Sequence, residues 1–260
     1  MAVSDFRPFL IRLLTVARAE TAALTALFVA ALGVTAFVEI ADDMTEADGQ
    51  SFDRQVLGLM RPYADDPGRP WGPWWLKEAA ADLTSLGGIS VLGLFALIVV
   101  LFLLSQRKWL SSLLLVLGLT GGVMLSEGLK AVFERERPPQ ALQAVETINA
   151  SFPSGHALLA TVFYLSVAVM LTRAFPRRRF KIFVLGVGMV MALLVGLTRI
   201  YLGAHWATDV FAGWAVGSAW AMLLWLAAYG VARWQKRRRA PLQDEPSPTA
   251  DQTPGDPTKV

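Results

Sequence analysis

The feature that most constrains this chain is a series of long segments without a charged residue. A helix rises about 1.5 Å per residue, so about 20 apolar residues cross a hydrocarbon layer about 30 Å thick, and roughly 17 is the practical minimum. Five segments of the 260-residue chain reach that length: 21–38, 83–106, 109–126, 182–198 and 210–232. They predict five membrane-spanning helices.

A sixth span is the least secure part of this prediction. Segment 157–172 is uncharged over only 16 residues, which would also suit a buried helix of a soluble protein. We interpret it as a span because an even number of crossings places all the basic segments on one side. The predicted fold is all-α, a bundle of six transmembrane helices over residues 1–239. Residues 240–260 contain five prolines among polar residues and are predicted to be a disordered tail.

The distribution of charge predicts an orientation. Basic residues concentrate in the N-terminal arm, in the second and fourth connections and after the last span. The first connection, 41–82, instead has nine acidic and four basic residues. By the positive-inside rule both termini are cytoplasmic and connections one, three and five face outward, as expected of a multi-pass protein of a cytoplasmic membrane. The net charge of +3 then reflects topology, which removes most of the case for nucleic-acid binding.

Two features near the N-terminus admit alternatives. The first apolar run has 18 residues, longer than the apolar core of a signal peptide, about 7–15 residues, and no clear cleavage site follows, so a span is favoured. In the first connection, apolar residues at helical spacing precede a tryptophan cluster: Phe52, Val56, Leu59 and Met60, then Trp71, Trp74 and Trp75. An interfacial helix with an aromatic anchor is favoured over a lid that gates lipid access.

Ionisable residues gather in the third and fifth connections, where they would lie at one membrane face. Lys130 and Arg137 are seven residues apart, which places them on one face of a helix that Pro138 should end. Ser154 is a candidate N-cap for the next span, and Gly155 would let a ligand approach the free N–H groups there. Together they outline an anion site.

The fifth connection contains a histidine and an aspartate at helical spacing. His205 and Asp209 are four residues apart, so the carboxylate can accept a hydrogen bond from one ring nitrogen and leave the other as a nucleophile or base. Each feature alone has a structural explanation: a snorkelling cation, a simple helix cap or a structural hydrogen bond. The chain has only two histidines, however, and His156 lies in the other connection of this group. Because these ionisable residues and both histidines would lie at the same depth in the membrane, a functional site is favoured. The absence of cysteine excludes thiol chemistry and disulfides.

Three motifs resemble the signature of the type 2 phosphatidic acid phosphatase superfamily. They are Lys130 followed after six residues by Arg137-Pro138, then Pro153-Ser154-Gly155-His156, then Thr198-Arg199 followed by His205 and Asp209. Thr198 replaces the serine of the family pattern and keeps the hydroxyl.

The resemblance implies a metal-independent membrane lipid phosphatase that needs no cofactor and forms a phosphohistidine. It implies these roles: His205 as nucleophile, Asp209 as its orienting carboxylate, His156 as the acid for the leaving group, and Lys130, Arg137, Ser154, Gly155 and Arg199 as phosphate-binding residues. Implied substrates are undecaprenyl diphosphate, which we favour, phosphatidylglycerol phosphate and phosphatidic acid.

Two other functions are considered. A metal-dependent prenyl-diphosphate enzyme is suggested by the acid-rich segment 42–46, although no second such motif follows. A lipid-phosphate transporter or binding protein would keep the same pocket, but transport needs two access states, and we expect no broken helix inside the spans.

Overall fold

The computed structural model describes residues 20–44, 46–145 and 149–239. The basic N-terminal arm and the predicted disordered tail, 240–260, lie outside them. The described residues form eight α-helices and one short 3₁₀ helix at Gln140–Leu142. The α-helices are α1 Thr21–Asp43, α2 Ala47–Leu59, α3 Trp74–Ser85, α4 Ile89–Ser105, α5 Trp109–Phe133, α6 Gly155–Ala174, α7 Arg178–Tyr201 and α8 Ala207–Arg239. The all-α prediction is confirmed.

Five of these helices are long and apolar enough to cross a membrane: α1, α5, α6, α7 and α8. Segment 157–172, the least secure prediction, is confirmed as a helix, since α6 has 20 residues. Its most apolar window is 44% buried, more than that of any other candidate span in the described residues. The segment with the shortest uncharged run therefore forms the helix at the centre of the bundle.

The predicted second span, 83–106, is not one helix. The chain bends by 47° between α3 and α4, and only the two together qualify as a sixth span. The bend falls at Leu86, Gly87 and Gly88. A Cβ on Gly87 would lie 2.4 Å from Cγ1 of Val195 and 3.1 Å from the carbonyl oxygen of His156, so a glycine is needed for this approach. The expectation of unbroken spans is wrong at this point.

The bundle is held together by α6 and α8. Helix α6 packs against α5, α7 and α8, while α1 lies along α8. The largest core cluster joins α4, α5 and α6 through side chains such as Leu92, Leu115 and Leu158. Large apolar side chains remain exposed on the outer helices, among them Phe28, Phe102 and Phe183. Such a surface suits a lipid environment better than water.

Helix α5 ends earlier than predicted. It stops at Phe133, and Glu134 takes a left-handed conformation with φ 44°, so Arg137 lies in a non-helical segment. The placement of Lys130 and Arg137 on one helix face is therefore wrong. A residue that precedes a proline disfavours helical geometry, and here Arg137 and Pro138 both precede a proline. Helix α5 already ends before these two residues, at Phe133.

The first connection contains the predicted helix, α2. Phe52 and Leu59 are exposed on it, and the cluster of Trp71, Trp74 and Trp75 is exposed beyond it, as expected of an interfacial segment. The opposite face of α2 packs against α8 and buries Asp53 almost completely.

Candidate active site

A cavity of about 530 Å³ lies at the end of the bundle where α6 and α8 begin. Six of the eight predicted site residues line it: Lys130, Arg137, Gly155, His156, Arg199 and His205. The other two, Ser154 and Asp209, are fully buried. These side chains come from distant parts of the sequence, on helices α5, α6 and α7 and on two connections, and lie together around the cavity.

His205 lies in the turn between α7 and α8. Gly203 has φ 68°, a left-handed conformation that glycine adopts without strain, and it reverses the chain just before the histidine. Nδ1 of His205 is 3.4 Å from Oδ2 of Asp209, and Nε2 is 3.3 Å from Nη1 of Arg137, at the cavity. The two ring nitrogens therefore have different surroundings: a carboxylate behind and a cation in front.

Asp209 is fixed by more contacts than the histidine alone provides. The hydroxyl of Ser151 donates to Oδ2 at 2.5 Å, and the backbone N–H of Trp206 donates to the same oxygen at 2.9 Å. Nη1 of Arg135 donates to Oδ1 at 2.6 Å. The carboxylate is fully buried, so these donors replace the hydration that it loses.

Burial governs the charge of the nucleophile candidate. The pKa of His205 is lowered from 6.5 to about 4, chiefly because the imidazole is buried; the hydrogen bond to Asp209 opposes this effect, and Arg199 and Arg137 add to it. The ring is consequently neutral at physiological pH. A neutral imidazole keeps the lone pair that nucleophilic attack requires.

Arg137 is held in a fixed orientation. Its Nε and Nη2 donate to the backbone oxygen and the side-chain oxygen of Asn149, at 2.5 and 2.7 Å, and Nη1 donates to the carbonyl of Ala204 at 2.6 Å. Burial lowers the pKa of Arg137, and the charge of Asp209 partly offsets that effect. A guanidinium remains charged at neutral pH. Because its hydrogen bonds also fix its orientation, Arg137 is a preorganised cation beside Nε2 of His205.

The other two cations are less completely paired. Nζ of Lys130 donates to Oε1 of Glu127 at 2.7 Å, and Nη1 of Arg199 makes a long contact of 3.4 Å with the hydroxyl of Thr84. Among the described residues, Nε of Arg199 and Oγ of Ser126 have no hydrogen-bond partner although both atoms are buried. Ser126 also lines the cavity. A phosphoryl group in the cavity could satisfy such donors.

The start of α6 fits part of the prediction. Ser154 is the N-cap, and its hydroxyl accepts from the N–H of Ala157 at a long 3.5 Å. Ser154 is fully buried and is not among the residues that line the cavity, whereas Gly155 and His156 border it. The hydroxyl of Thr198 likewise bonds within its own helix, donating to the carbonyl of Val195 at 2.7 Å. Thr198 is not among the residues that line the cavity.

Several residues around the site were not predicted: Asp53, Ser126, Glu127, Arg135, Asn149 and Ser151. The sequence contains a signal that could have identified Arg135, since this residue lies two positions before Arg137 in the charged run Glu134-Arg135-Glu136-Arg137. No local sequence signal identifies Asp53, because its partner Arg135 is 82 residues away in the chain.

The acid-rich segment 42–46 does not form a metal centre in the described residues. Asp42 and Asp43 end α1, and Met44 is buried. Across the ranges that the structure describes, no group of three or more histidine or acidic side chains is arranged to hold a metal ion.

Comparison with known proteins places the chain in a family. Residues 109–233 match the model of the PAP2 superfamily. Phosphatidylglycerophosphatase B of Bacillus subtilis is 35% identical over 144 residues, which are 55% of this chain and 70% of that protein. An undecaprenyl-diphosphatase of Sulfolobus acidocaldarius is 33% identical over 123 residues, 45% of this chain and 55% of that protein.

The fold also matches a solved structure. The crystal structure of a transmembrane PAP2 type phosphatidylglycerolphosphate phosphatase from Bacillus subtilis superposes with a TM-score of 0.70 at 29% identity, covering 78% of this chain and 98% of that one. Residues 109–233, which match the family model, contain all eight predicted site residues. The chain therefore belongs to the PAP2 superfamily, as a multi-pass membrane lipid phosphatase.

Proposed function

We propose that this protein removes phosphate from a lipid phosphate or diphosphate through a phosphohistidine on His205, at the outer face of the cytoplasmic membrane. The observation that carries the proposal is the asymmetry of His205. One ring nitrogen faces a buried carboxylate and the other faces a cavity with three cations. That is the arrangement expected of an oriented nucleophile beside a phosphate site.

The first chemical step forms the intermediate. Nε2 of His205 attacks phosphorus while the bond to the lipid oxygen breaks, and His156 gives its proton to that oxygen. The transition state is loose and concentrates charge on the equatorial phosphoryl oxygens, which Lys130, Arg137 and Arg199 would stabilise. The released lipid is an alcohol, or a monophosphate when the substrate is a diphosphate.

The second step regenerates the enzyme. His156, now neutral, accepts a proton from a water molecule that attacks phosphorus, and the bond between phosphorus and Nε2 breaks. Inorganic phosphate leaves, and His156 is protonated again. Throughout, Asp209 would hold Nδ1 of His205 and stabilise the cationic imidazole of the intermediate.

The cavity lining supports an amphiphilic substrate. Besides the cations, the lining includes the apolar residues Ile89, Val123 and Leu159. A lipid could place its phosphate among the cations and leave its chains toward the bilayer. The two leading substrates are undecaprenyl diphosphate and phosphatidylglycerol phosphate, the latter because the similar Bacillus subtilis proteins are named for it.

The orientation is part of the same proposal. In the described residues, Arg173, Arg178, Arg179 and Arg233 all lie at the opposite end of the spans from His205. The positive-inside rule assigns that end to the cytoplasm. The cavity then opens toward the periplasm or exterior.

Trapping the intermediate tests the mechanism. Purified protein mixed briefly with a ³²P-labelled lipid phosphate and then denatured should carry an acid-labile, base-stable label on His205. His205→Ala should abolish both label and turnover, and vanadate should inhibit the unmodified protein. Turnover at the normal rate in His205→Ala would overturn the proposal.

A kinetic panel tests the substrate. Phosphate release in detergent micelles is ranked by kcat/KM for undecaprenyl diphosphate, phosphatidylglycerol phosphate and phosphatidic acid. The physiological class should exceed the others by at least about tenfold, or about 1.4 kcal/mol of transition-state binding. Equal kcat/KM values for the three lipids would indicate that the enzyme recognises only the phosphate group of its substrates.

One observation favours lipid-phosphate transport as a second activity. The bend between α3 and α4 borders the cavity through Gly87, and discontinuous helices beside a binding site are typical of transporters. The His205→Ala variant in proteoliposomes would then move a fluorescent lipid phosphate between leaflets without hydrolysing it. A rate equal to that of protein-free vesicles would exclude this activity.

A further inference from the structure

A line of buried charged groups extends behind Asp209, away from the cavity. It consists of Asp53 on α2, Arg135 after the end of α5, and Asp209 on α8. The two carboxylate side chains are 1% and 0% exposed, and that of Arg135 is 12% exposed. Charged groups this deeply buried are costly unless each is paired and hydrogen-bonded.

Arg135 joins the two carboxylates with separate nitrogens. Nη1 donates to Oδ1 of Asp209 at 2.6 Å and to the hydroxyl of Thr208 at 2.7 Å. Nη2 donates to Oδ2 of Asp53 at 2.7 Å. A planar fork can make both contacts at once, whereas a lysine ammonium is a single point of charge on a flexible stem.

Asp53 also caps the helix that contains Asp209. Its Oδ1 accepts from the backbone N–H of Thr208 at 3.0 Å, and its Oδ2 accepts from the hydroxyl of Thr208 at 2.6 Å. Thr208 is the second residue of α8, so this carboxylate from α2 satisfies an N–H that the helix leaves free. The interfacial helix is thereby attached to the first turn of α8.

The arrangement divides the two oxygens of Asp209 between two tasks. Oδ2 faces His205 and Ser151, while Oδ1 is held by Arg135. A carboxylate held at one oxygen cannot rotate freely about its terminal bond. The Arg135 contact, together with the Ser151 hydroxyl and the backbone N–H of Trp206 at Oδ2, therefore fixes the orientation of the carboxylate, and with it that of the imidazole.

We propose that Arg135 and Asp53 are positioning residues for the phosphatase reaction, through which the docking of α2 on α8 sets the orientation of Asp209 and His205. This inference rests on the proposed function of His205 as nucleophile. It assigns a task in turnover to the first connection, whose helix contributes no side chain to the cavity lining among the described residues.

Four variants test the proposal in purified full-length protein. Arg135→Gln and Asp53→Asn each remove a charge, Arg135→Lys keeps the charge but not the fork, and Arg54→Gln is the matched control. Arg54 is exposed on α2 next to Asp53 and makes no contact in the chain of groups above. Monodispersity on size exclusion and thermal unfolding report the folded fraction.

The expected result is a loss of kcat with little change in KM. Per folded molecule, Arg135→Gln and Arg135→Lys should lose about 10- to 100-fold in kcat, by analogy with the loss when the hydrogen-bond partner of a metal-ligating residue is removed. Asp53→Asn should lose less, because an asparagine oxygen can still accept from the N–H of Thr208. Arg54→Gln should match the unmodified protein. Unchanged kcat in both Arg135 variants would overturn the proposal.

The pH profile distinguishes positioning from simple stabilisation of the fold. Removing Arg135 leaves Asp209 less compensated, so protonation of His205 becomes easier and the acid limb of kcat/KM should move to higher pH. Removing the charge of Asp53 leaves Arg135 to act on Asp209 alone, so the limb should move to lower pH. The other charged or titratable groups that face His205 remain in place: Asp209 on α8, Arg137 beyond α5, Arg199 on α7 and His156 on α6. Limbs that stay fixed in both variants would show a purely structural role.

His205→Ala keeps this test separate from the proposed function. If His205→Ala is inactive while the Arg135 and Asp53 variants behave as the unmodified protein, only the present inference fails. If His205→Ala retains turnover, the proposed function fails.

Discussion

At the scale of single residues, His205 combines a buried position with a neutral charge. A nucleophilic imidazole must be unprotonated, and the lowered pKa of about 4 keeps it so well below the usual histidine range. In the proposed mechanism, a fall in pH through this value adds a proton to Nε2, the attacking nitrogen, and activity is lost.

We therefore expect the acid limb of kcat/KM, which reports the free enzyme, to fall near pH 4 to 5 and not near 6.5. The limb of kcat should lie at higher pH, because a bound phosphate anion favours the protonated ring. Initial rates from pH 4 to 9 with a lipid phosphate in detergent check both. A kcat/KM limb at about 6.5 would show that His205 is solvated in the free enzyme.

Two neighbouring serines should give opposite kinds of defect. Ser154→Ala removes a helix cap whose hydrogen bond is long, so it should lower stability by about 0.5–1 kcal/mol with little effect on kcat. Ser151→Ala removes the donor at 2.5 Å from Asp209, so it should lower kcat by about tenfold with a smaller effect on unfolding. Thermal unfolding and kcat measured on both variants check the contrast. If Ser154→Ala is the variant that loses turnover, its hydroxyl binds phosphate as the family resemblance implies.

At the scale of elements, the bend between α3 and α4 brings Gly87 against His156. Gly87→Ala places a methyl group 2.4 Å from Cγ1 of Val195 and 3.1 Å from the carbonyl oxygen of His156, so the Val195 side chain must move and the start of α6 must give way slightly. We expect a loss of more than about tenfold in kcat together with lower thermal stability.

Gly93→Ala is the matched control, because that glycine lies within α4 and has no neighbour within 4 Å. It should keep full activity and stabilise the helix by roughly 0.5–1 kcal/mol. Equal activity in both variants would contradict a role for the bend in placing His156.

The helices could be predicted from the sequence because an uncharged run is a local property. The bend could not, since 83–106 has the composition of one continuous span and only contacts with Val195 and His156 require a break. The end of α5 was placed too late because the motif spacing of Lys130 and Arg137 suits a helix equally well. The motif residues around His205 were recognised from local spacing, whereas the contact of Arg135 with Asp53 depends on the tertiary fold.

At the scale of the whole molecule, the cavity lining combines cations with apolar residues. Val123→Asp would replace an apolar lining residue by a carboxylate, which should disfavour the acyl or prenyl chain and lower kcat/KM for lipid phosphates by about 10- to 100-fold. Hydrolysis of a small soluble phosphate ester should change little, because that substrate has no long apolar chain to bind. Parallel assays of both substrates check this expectation. An equal loss for both would show that the substitution disturbs the phosphate site itself.

The packing of α1 along α8 has a consequence for biosynthesis. These are the first and last described helices, and close contacts such as that between Gly33 and the carbonyl of Ala215 cannot form until the end of the chain has been made. Asp209 and the helix terminus that Asp53 caps also belong to α8. The chain made before α8 therefore lacks Asp209 and all contacts of α8 with α1, α2 and α6. If His205 and Asp209 act as proposed, the enzyme becomes active only when α8 packs into the bundle, and a chain that stops before α8 should not hydrolyse the lipids around it.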